Sequence, residues 1–202
     1  KLIPNIPVFV QGMVWDITAI HTAYPDFLNN QVKKAIFHHD SNPFLSPIFK
    51  QVGSVKERQQ IIEETGSCII LATSGMLQGG ASVEYFRELA GNPRNSIVFV
   101  SYQGEGSLGR RVQSGEKEFV MESNGKKENV EVKMEVLSIE GLSGHSSRNE
   151  LMRFVYNLDP KPKKIIVVHG ESSRCLDLAS SLHKLNKIET AAPKNLEVIR
   201  IR

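Results

Sequence analysis

Two short runs of uninterrupted apolar residues place the strongest constraint on the fold of this chain. Residues 68–72 (CIILA) and 97–100 (IVFV) contain no charged or amide side chain, which is typical of strands covered on both faces of a sheet. Between them, Val83, Phe86 and Ala90 recur at the spacing of one helical face. The order strand–helix–strand predicts a βαβ unit and therefore an α/β fold with a mainly parallel sheet flanked by helices.

The same alternation of strands and helices continues along most of the chain. Residues 123–129 (SNGKKEN) are polar and contain an Asn-Gly pair, which predicts a turn or exposed loop. After this loop, apolar and polar residues alternate over 130–136, as in a strand with one wet face. Further strands are predicted over 6–10, 165–168 and 196–201, and helical stripes begin near Leu28, Leu151 and Leu176.

The composition is that of an ordinary soluble globular protein, with 40% hydrophobic and 23% charged residues. A net charge of +3 does not by itself indicate a polyanion partner. Basic residues outnumber acidic ones over 160–202. This excess of positive charge either lies near a bound phosphate or belongs to a solvated helix face.

Cys68 and Cys175 lack CxxC spacing, which indicates reduced core residues in a cytoplasmic protein. No signal peptide and no apolar run of about 18 residues is present, so no membrane partner is expected.

His145 is the first candidate for chemistry. It lies in a glycine-containing stretch, 141–147 (GLSGHSS), between the alternating strand and the next helix. Ser147 and Glu150 have the S-x-x-E spacing of a capping box, which predicts that the helix begins at Ser147. Ser143, Gly144 and His145 would then lie just ahead of a helix N-terminus, where free N–H groups suit a phosphate. A turn histidine that only fills space is the alternative.

His169 is the second candidate, because it ends the predicted strand 165–168 and precedes Gly170. Ligands of open α/β sheets collect beyond the carboxyl ends of the strands. One helix and one strand separate His145 from His169, so both turns can open toward the same edge of the sheet. A metal ligand needs such rigid presentation.

These two histidines do not make a zinc site alone, since a catalytic zinc takes three protein ligands. The sequence contains no HxHxDH cluster. His38 and His39 are neighbours at a predicted helix end and point apart, so we assign them to the surface. His21 and His183 lie in or beside helical patterns and are predicted to be packing or surface residues.

Two Gly/Ser-rich loops follow the buried strands. The first, 73–80 (TSGMLQGG), contains Ser74 and Gly75, and the second, 102–111 (YQGEGSLGRR), contains Gly106 and Ser107. Both follow a buried strand, which is the position of a phosphate-binding loop, although neither has a GxGxxG or GxxxxGK[ST] fingerprint. They are either tight turns or, with the Arg pair that ends the second loop, the walls of a polar crevice.

Several of these stretches resemble the β-CASP ribonucleases of the metallo-β-lactamase type, and above all the archaeal homologues of the cleavage and polyadenylation specificity factor nuclease. The similar segments span the chain in order: 12–25, 70–80, 102–110, 141–147, 167–171 and 193–202. The resemblance implies a β-CASP domain over 1–149 and the C-terminal portion of a metallo-β-lactamase domain over 150–202. The remaining zinc ligands and the RNA-binding KH domains of archaeal members would precede Lys1, so we expect a fragment of a longer protein.

The resemblance also implies roles for individual residues. His169 corresponds to a zinc ligand and His145 to a residue beside the scissile phosphate that donates a proton to the leaving oxygen. Two zinc ions per full-length active site are implied, and the fragment alone is expected to be inactive. Phosphate contacts are expected at Ser143 and Gly144 and in the two glycine-rich loops. The substrate would be single-stranded RNA.

For biological role, the resemblance implies RNA 3′-end processing and transcription termination, with endonuclease and 5′-to-3′ exonuclease activity and contacts to the transcription machinery. A homodimer through the C-terminal segment, 196–202, is also implied. Two other readings stay open from the sequence: a non-catalytic RNA-binding and dimerisation module, and a Rossmann-like nucleotide binder. The absent phosphate fingerprints weigh against the nucleotide binder.

Overall fold

The protein is described here from a computed structural model covering residues 6–123, 125–142 and 144–201. The chain divides into two compact units, residues 1–143 and 144–202. Both are α/β with parallel strand pairs, as the sequence predicts. Within the described residues, no helix has the length and apolar character needed to cross a bilayer.

The first unit is built on a three-stranded parallel sheet in which β1 is central. Val8 of β1 is in register with Phe49 of β2 and with Ile69 of β3. A parallel pair of β4 and β7 and an antiparallel hairpin of β5 and β6 complete its strands. The elements in chain order are β1 Val8–Gln11, α1 Met13–Ala23, α2 Asn30–His39, β2 Phe49–Val52, α3 Val55–Glu63, β3 Ile69–Ala72, α4 Ala81–Leu89, β4 Ser96–Phe99, α5 Leu108–Gln113, β5 Glu118–Ser123, β6 Lys126–Glu131 and β7 Glu135–Ser138.

Helix α4 lies between two hydrophobic clusters of the first unit. Tyr85 packs with Phe9, Val52 and Ile61 beneath the three-stranded sheet. Its neighbour Phe86 packs instead with a larger cluster that includes residues of β4 and the hairpin. The predicted pairing of β3 with β4 through α4 is therefore wrong: β3 pairs with β1, and β4 with β7. Tyr85 and Phe86 of α4 belong to different clusters, and the described strands β3 and β4 belong to different sheets.

The strand predicted over 130–136 is divided between β6 and β7. At the division, Val132 N donates to Lys117 O (2.7 Å) and Met134 N donates to Ala90 O (3.0 Å), so the backbone changes partners there. The loop predicted over 123–129 is shorter than expected, since Lys126–Glu131 is strand β6. Pairing with β5 across the hairpin stabilises these polar residues as a strand.

The second unit contains α6 Arg148–Asn157, β8 Lys164–Ile166, α7 Ser172–Asn186 and β9 Glu189–Ala191. β8 and β9 are parallel, with Lys164 opposite Glu189. The predicted closing strand 196–201 is wrong for this chain, because the described residues there form no strand and Leu196 and Val198 are almost fully exposed (102% and 95%). The tail touches the sheet through Lys164 Nζ, which donates to Arg200 O at 3.2 Å.

Candidate active site

His145 lies in the second unit, in an exposed turn three residues ahead of α6. The capping box is confirmed: Glu150 N donates to Ser147 Oγ (3.4 Å) and Ser147 N donates to Glu150 Oε2 (2.6 Å). The hydrogen bond from the Ser147 amide holds the pKa of Glu150 below its usual value, so this carboxylate is charged at neutral pH. Gly144 is exposed beside His145, whereas the predicted phosphate contact Ser143 lies outside the described residues.

His169 is exposed and lies three residues after β8, in the short connection to α7. Its φ of 66° places a non-glycine residue in the left-handed region. Such a backbone costs about 1–3 kcal/mol and is enriched at functional sites, although Asp40 and Lys187 adopt it here as helix C-caps. The residue that follows, Gly170, lies against α7: a Cβ atom there would be 3.0 Å from Cys175 Sγ. The fold thus presents the imidazole three residues beyond the carboxyl end of β8, on an exposed turn that approaches α7 closely at Gly170.

A hydrogen-bonded link joins the surroundings of the two histidines. Arg148, the first residue of α6, forms an ion pair with Asp177 of α7 (2.6 Å) and donates to Ser181 Oγ (2.6 Å). The N-terminus of α6, which follows His145, is therefore held to the helix that follows His169. This link could not be predicted from local motifs, because Arg148 and Asp177 are far apart in the chain.

The described residues do not supply a complete zinc site. No group of three or more His, Cys, Asp or Glu side chains among them is arranged to hold a metal ion. His169 offers one nitrogen ligand, and a catalytic zinc takes three ligands from protein. This donor set on its own does not fit a bound zinc.

The other histidines have structural positions, as predicted. The His21 ring stacks on Phe44 with centroids 5.3 Å apart. His183 Nδ1 lies 2.8 Å from Ile188 O at the end of α7. His38 and His39 are exposed in the last turn of α2.

The first glycine-rich loop, 73–80, connects β3 to α4 in the first unit. Ser74 Oγ accepts from Gln78 N (2.8 Å), and Ser74 O accepts from Ser82 Oγ (2.7 Å). Gly75 is exposed, and a Cβ atom there would lie 2.9 Å from Ser101 Oγ at the start of the second loop. The two predicted phosphate loops are therefore in contact with each other, and the first is folded by its own hydrogen bonds.

The connection from β4 to α5, residues 100–107, contains the first part of the predicted second loop (102–111) and is closed by Ser107. This side chain is 1% exposed; its hydroxyl donates to Gly104 O (2.7 Å) and accepts from Arg110 N (3.1 Å). The Ser107 hydroxyl thus shapes the loop, while Gly106, with φ of 78°, is exposed. Gln103, in the same loop, is buried. Nothing in the sequence of this loop singled it out, because a glutamine in a polar loop is ordinarily expected to be exposed.

The two arginines that follow the second loop differ. Arg111 forms an ion pair with Glu116 and lies over the Phe119 ring. The hydrogen bond from Arg111 lowers the pKa of Glu116. Arg110 makes no ion pair with any residue that the structure describes; its guanidinium donates weakly to Gln113. Arg110 is therefore the cation of this pair available to an anionic ligand.

Comparison with known proteins covers both units. Residues 1–112 match the model of the Beta-Casp domain, and residues 129–193 match that of the Zn-dependent metallo-hydrolase RNA specificity domain. The chain is 53% identical over 199 residues to the transcription termination factor FttA of Thermococcus kodakarensis and 51% identical to that of Methanocaldococcus jannaschii. A Lokiarchaeum factor of the same name is 45% identical over 201 residues.

Each alignment covers 98–99% of this chain but only 31% of the relative, so the chain spans about a third of the length of these curated relatives. The resemblance read from the glycine- and histidine-containing motifs is confirmed, and with it the α/β architecture. The Beta-Casp match covers more than half of the 202 residues. The chain belongs to the β-CASP family.

Proposed function

We propose that this chain is part of a zinc-dependent ribonuclease that hydrolyses phosphodiesters of single-stranded RNA, and that it contributes His145 and His169 to the active site. The observation that carries the proposal is the exposed His169 at the end of β8, held in a left-handed backbone by a packed turn. The match to a Zn-dependent metallo-hydrolase RNA specificity domain supports the class of reaction and substrate.

Within this proposal, His169 would be one ligand of a zinc ion, which would supply an activated water. His169 alone would not complete the shell, since a catalytic zinc takes three protein ligands. As the water oxygen attacks phosphorus, the bond from phosphorus to the ribose oxygen breaks, and His145 donates its proton to that leaving oxygen. Such proton transfer contributes about 10²–10⁴ in rate. The Arg148–Asp177 pair keeps the His145 turn fixed relative to α7.

The glycine-rich loops of the first unit are proposed to bind RNA phosphates. Exposed backbone at Gly75 and Gly106 offers close approach without side-chain obstruction, the half-exposed Ser74 lies beside Gly75, and Arg110 supplies positive charge. Phosphate contacts position a nucleic acid without reading its sequence. Gly144, in the second unit, is proposed to contact phosphate beside His145, and so is Ser143, which lies outside the described residues.

The biological role proposed is transcription termination through RNA 3′-end formation, in contact with the transcription machinery, since the relatives are named transcription termination factors. Both endonuclease and 5′-to-3′ exonuclease activity are proposed. Homodimerisation is proposed through the tail, because Leu196 and Val198 are exposed and contribute little to the packing of the chain itself. This tail also favours a second candidate function, an RNA-binding and dimerisation module without catalysis.

Metal analysis combined with an RNA cleavage assay tests the proposal. The full-length protein should bind zinc and cleave single-stranded RNA, whereas the 202-residue chain should hold little zinc and cleave nothing. RNA binding and dimerisation by a full-length protein that neither binds zinc nor cleaves RNA would favour the second candidate. Tight ATP binding by the 202-residue chain would instead favour a nucleotide-binding module.

A further inference from the structure

Gln103 is the larger of the two buried polar residues of the second loop, with 2% of its surface exposed. Its Nε2 atom donates to Gly75 O (2.9 Å) and to Ser101 O (3.1 Å). One carbonyl belongs to the loop after β3 and the other to the loop after β4. A single buried amide therefore bridges the two loops through both of its N–H groups, and this bridge fixes the distance between them.

The oxygen end of the same side chain faces α5. A Cβ atom at Gly109 would lie 1.9 Å from Gln103 Oε1 and 3.0 Å from Met76 O. Gly109 N also donates to Met76 O at 3.0 Å, which ties α5 to the first loop. Gln103 thus occupies the space that a side chain at Gly109 would fill. The two loops and the start of α5 meet around this one side chain.

This arrangement is costly in stability. Gln103 Oε1 is buried without a hydrogen-bond donor among the residues that the structure describes. Buried polar atoms are nearly always paired, and an exception calls for a reason other than packing. A carbon side chain of the same length would fill the space and avoid the unpaired oxygen, but it could not donate to the two loop carbonyls. The bridge between the loops is the property that only the amide provides.

We propose that Gln103 is a positioning residue that sets the spacing between the two RNA-phosphate contacts, one at Ser74–Gly75 and one at Gly106. This inference rests on the proposed function of the loops. Contacts to phosphates remote from the reacting bond act alike on the bound substrate and on the transition state. Loosening them therefore raises KM and leaves kcat unchanged.

The test uses the full-length protein with Gln103→Met, which keeps the volume and removes both donors. We expect the Kd for a single-stranded RNA oligonucleotide and the KM for its cleavage to rise about tenfold, with kcat within about twofold of wild type. Gly109→Ala, which forces the amide out of place, should give the same pattern independently. Gly66→Ala is the matched control, because a Cβ atom there meets nothing within 4 Å.

Two outcomes would overturn the positioning role while leaving the nuclease proposal intact. One is an unchanged Kd and KM in both variants. The other is a loss of folded protein, seen as lower apparent kcat and lower Tm with unchanged KM, which is the pattern of a purely structural residue. Absence of RNA binding and cleavage in the wild-type protein would overturn the proposed function itself, and the positioning role with it.

Discussion

Gly170 lies so close to Cys175 that a methyl group on its Cα would be 3.0 Å from the cysteine Sγ. This contact packs the turn that carries His169 against the first residues of α7. Cys175 is a free thiol and only half-buried, whereas the sequence predicts a core residue. Its contact with Gly170 explains why a small residue must follow the histidine.

Gly170→Ala in the full-length protein should therefore displace the His169 turn and weaken zinc binding. Residues that orient a metal ligand typically account for about 10–100-fold in affinity, and we expect a loss of about tenfold, measured by competition with a fluorescent chelator. Removing the obstructing sulfur in Gly170→Ala/Cys175→Ala should restore most of the affinity. Zinc affinity that is unchanged by Gly170→Ala would contradict the account of this turn.

The capping box ahead of α6 gives a stability prediction. Ser147→Ala removes the acceptor for the Glu150 amide and should lower the free energy of unfolding by about 1 kcal/mol. Urea denaturation of the full-length protein, monitored for the transition of this unit, measures the change. Ser173→Ala is the control, since Ser173 is exposed and lies inside α7 instead of at its N-cap. Equal effects of the two substitutions would argue against the cap.

The same box gives a pH dependence through Glu150. Its pKa is lowered from 4.5 in the folded protein by the Ser147 amide. A carboxylate with a depressed folded-state pKa contributes stability above its unfolded pKa and loses it as the pH falls through the folded pKa. We therefore expect the stability difference between wild type and Glu150→Gln at pH 7 to disappear progressively below pH 4.5. A difference that is constant from pH 7 to pH 3, in denaturation curves, would contradict this assignment.

The sequence predicted most elements but not how they associate. Apolar runs and helical stripes located β3, β4, α4 and α7, because these patterns depend on local burial. The separation of β3 from β4 depends on α4 burying Tyr85 and Phe86 in different clusters, which periodicity alone does not reveal. The tail 196–201 alternates like a strand, yet a strand also needs a partner, and the described chain supplies none.

In the candidate site, too, local motifs could be predicted and tertiary contacts could not. His145 and His169 could be selected from the sequence, because glycine-flanked turns next to strands and helices are visible as local motifs. The interactions around these turns and the glycine-rich loops could not be predicted. Arg148–Asp177, beside the turns, and Gln103–Gly75, between the loops, join residues 29 and 28 positions apart. Side-chain contacts at such separations follow from the tertiary fold.

The exposed tail yields a prediction for assembly. If the proposed homodimer forms through the tail, Leu196→Asp/Val198→Asp should convert the full-length protein into monomer without unfolding either unit, because these residues are 102% and 95% exposed in the chain alone. Sedimentation velocity measures the change. Val120→Asp, at an exposed apolar position of the β5–β6 hairpin (68%), should leave the dimer intact. A dimer that survives both tail substitutions would place the interface elsewhere.

The most direct test of the nuclease account is the single-turnover rate of RNA cleavage by His145→Ala in the full-length protein. If His145 donates the proton to the leaving oxygen, the rate should fall by about 10²–10⁴ while zinc content stays at the wild-type level. His38→Ala, at an exposed helix end, should cleave at the wild-type rate. Cleavage by His145→Ala at the wild-type rate would contradict the account.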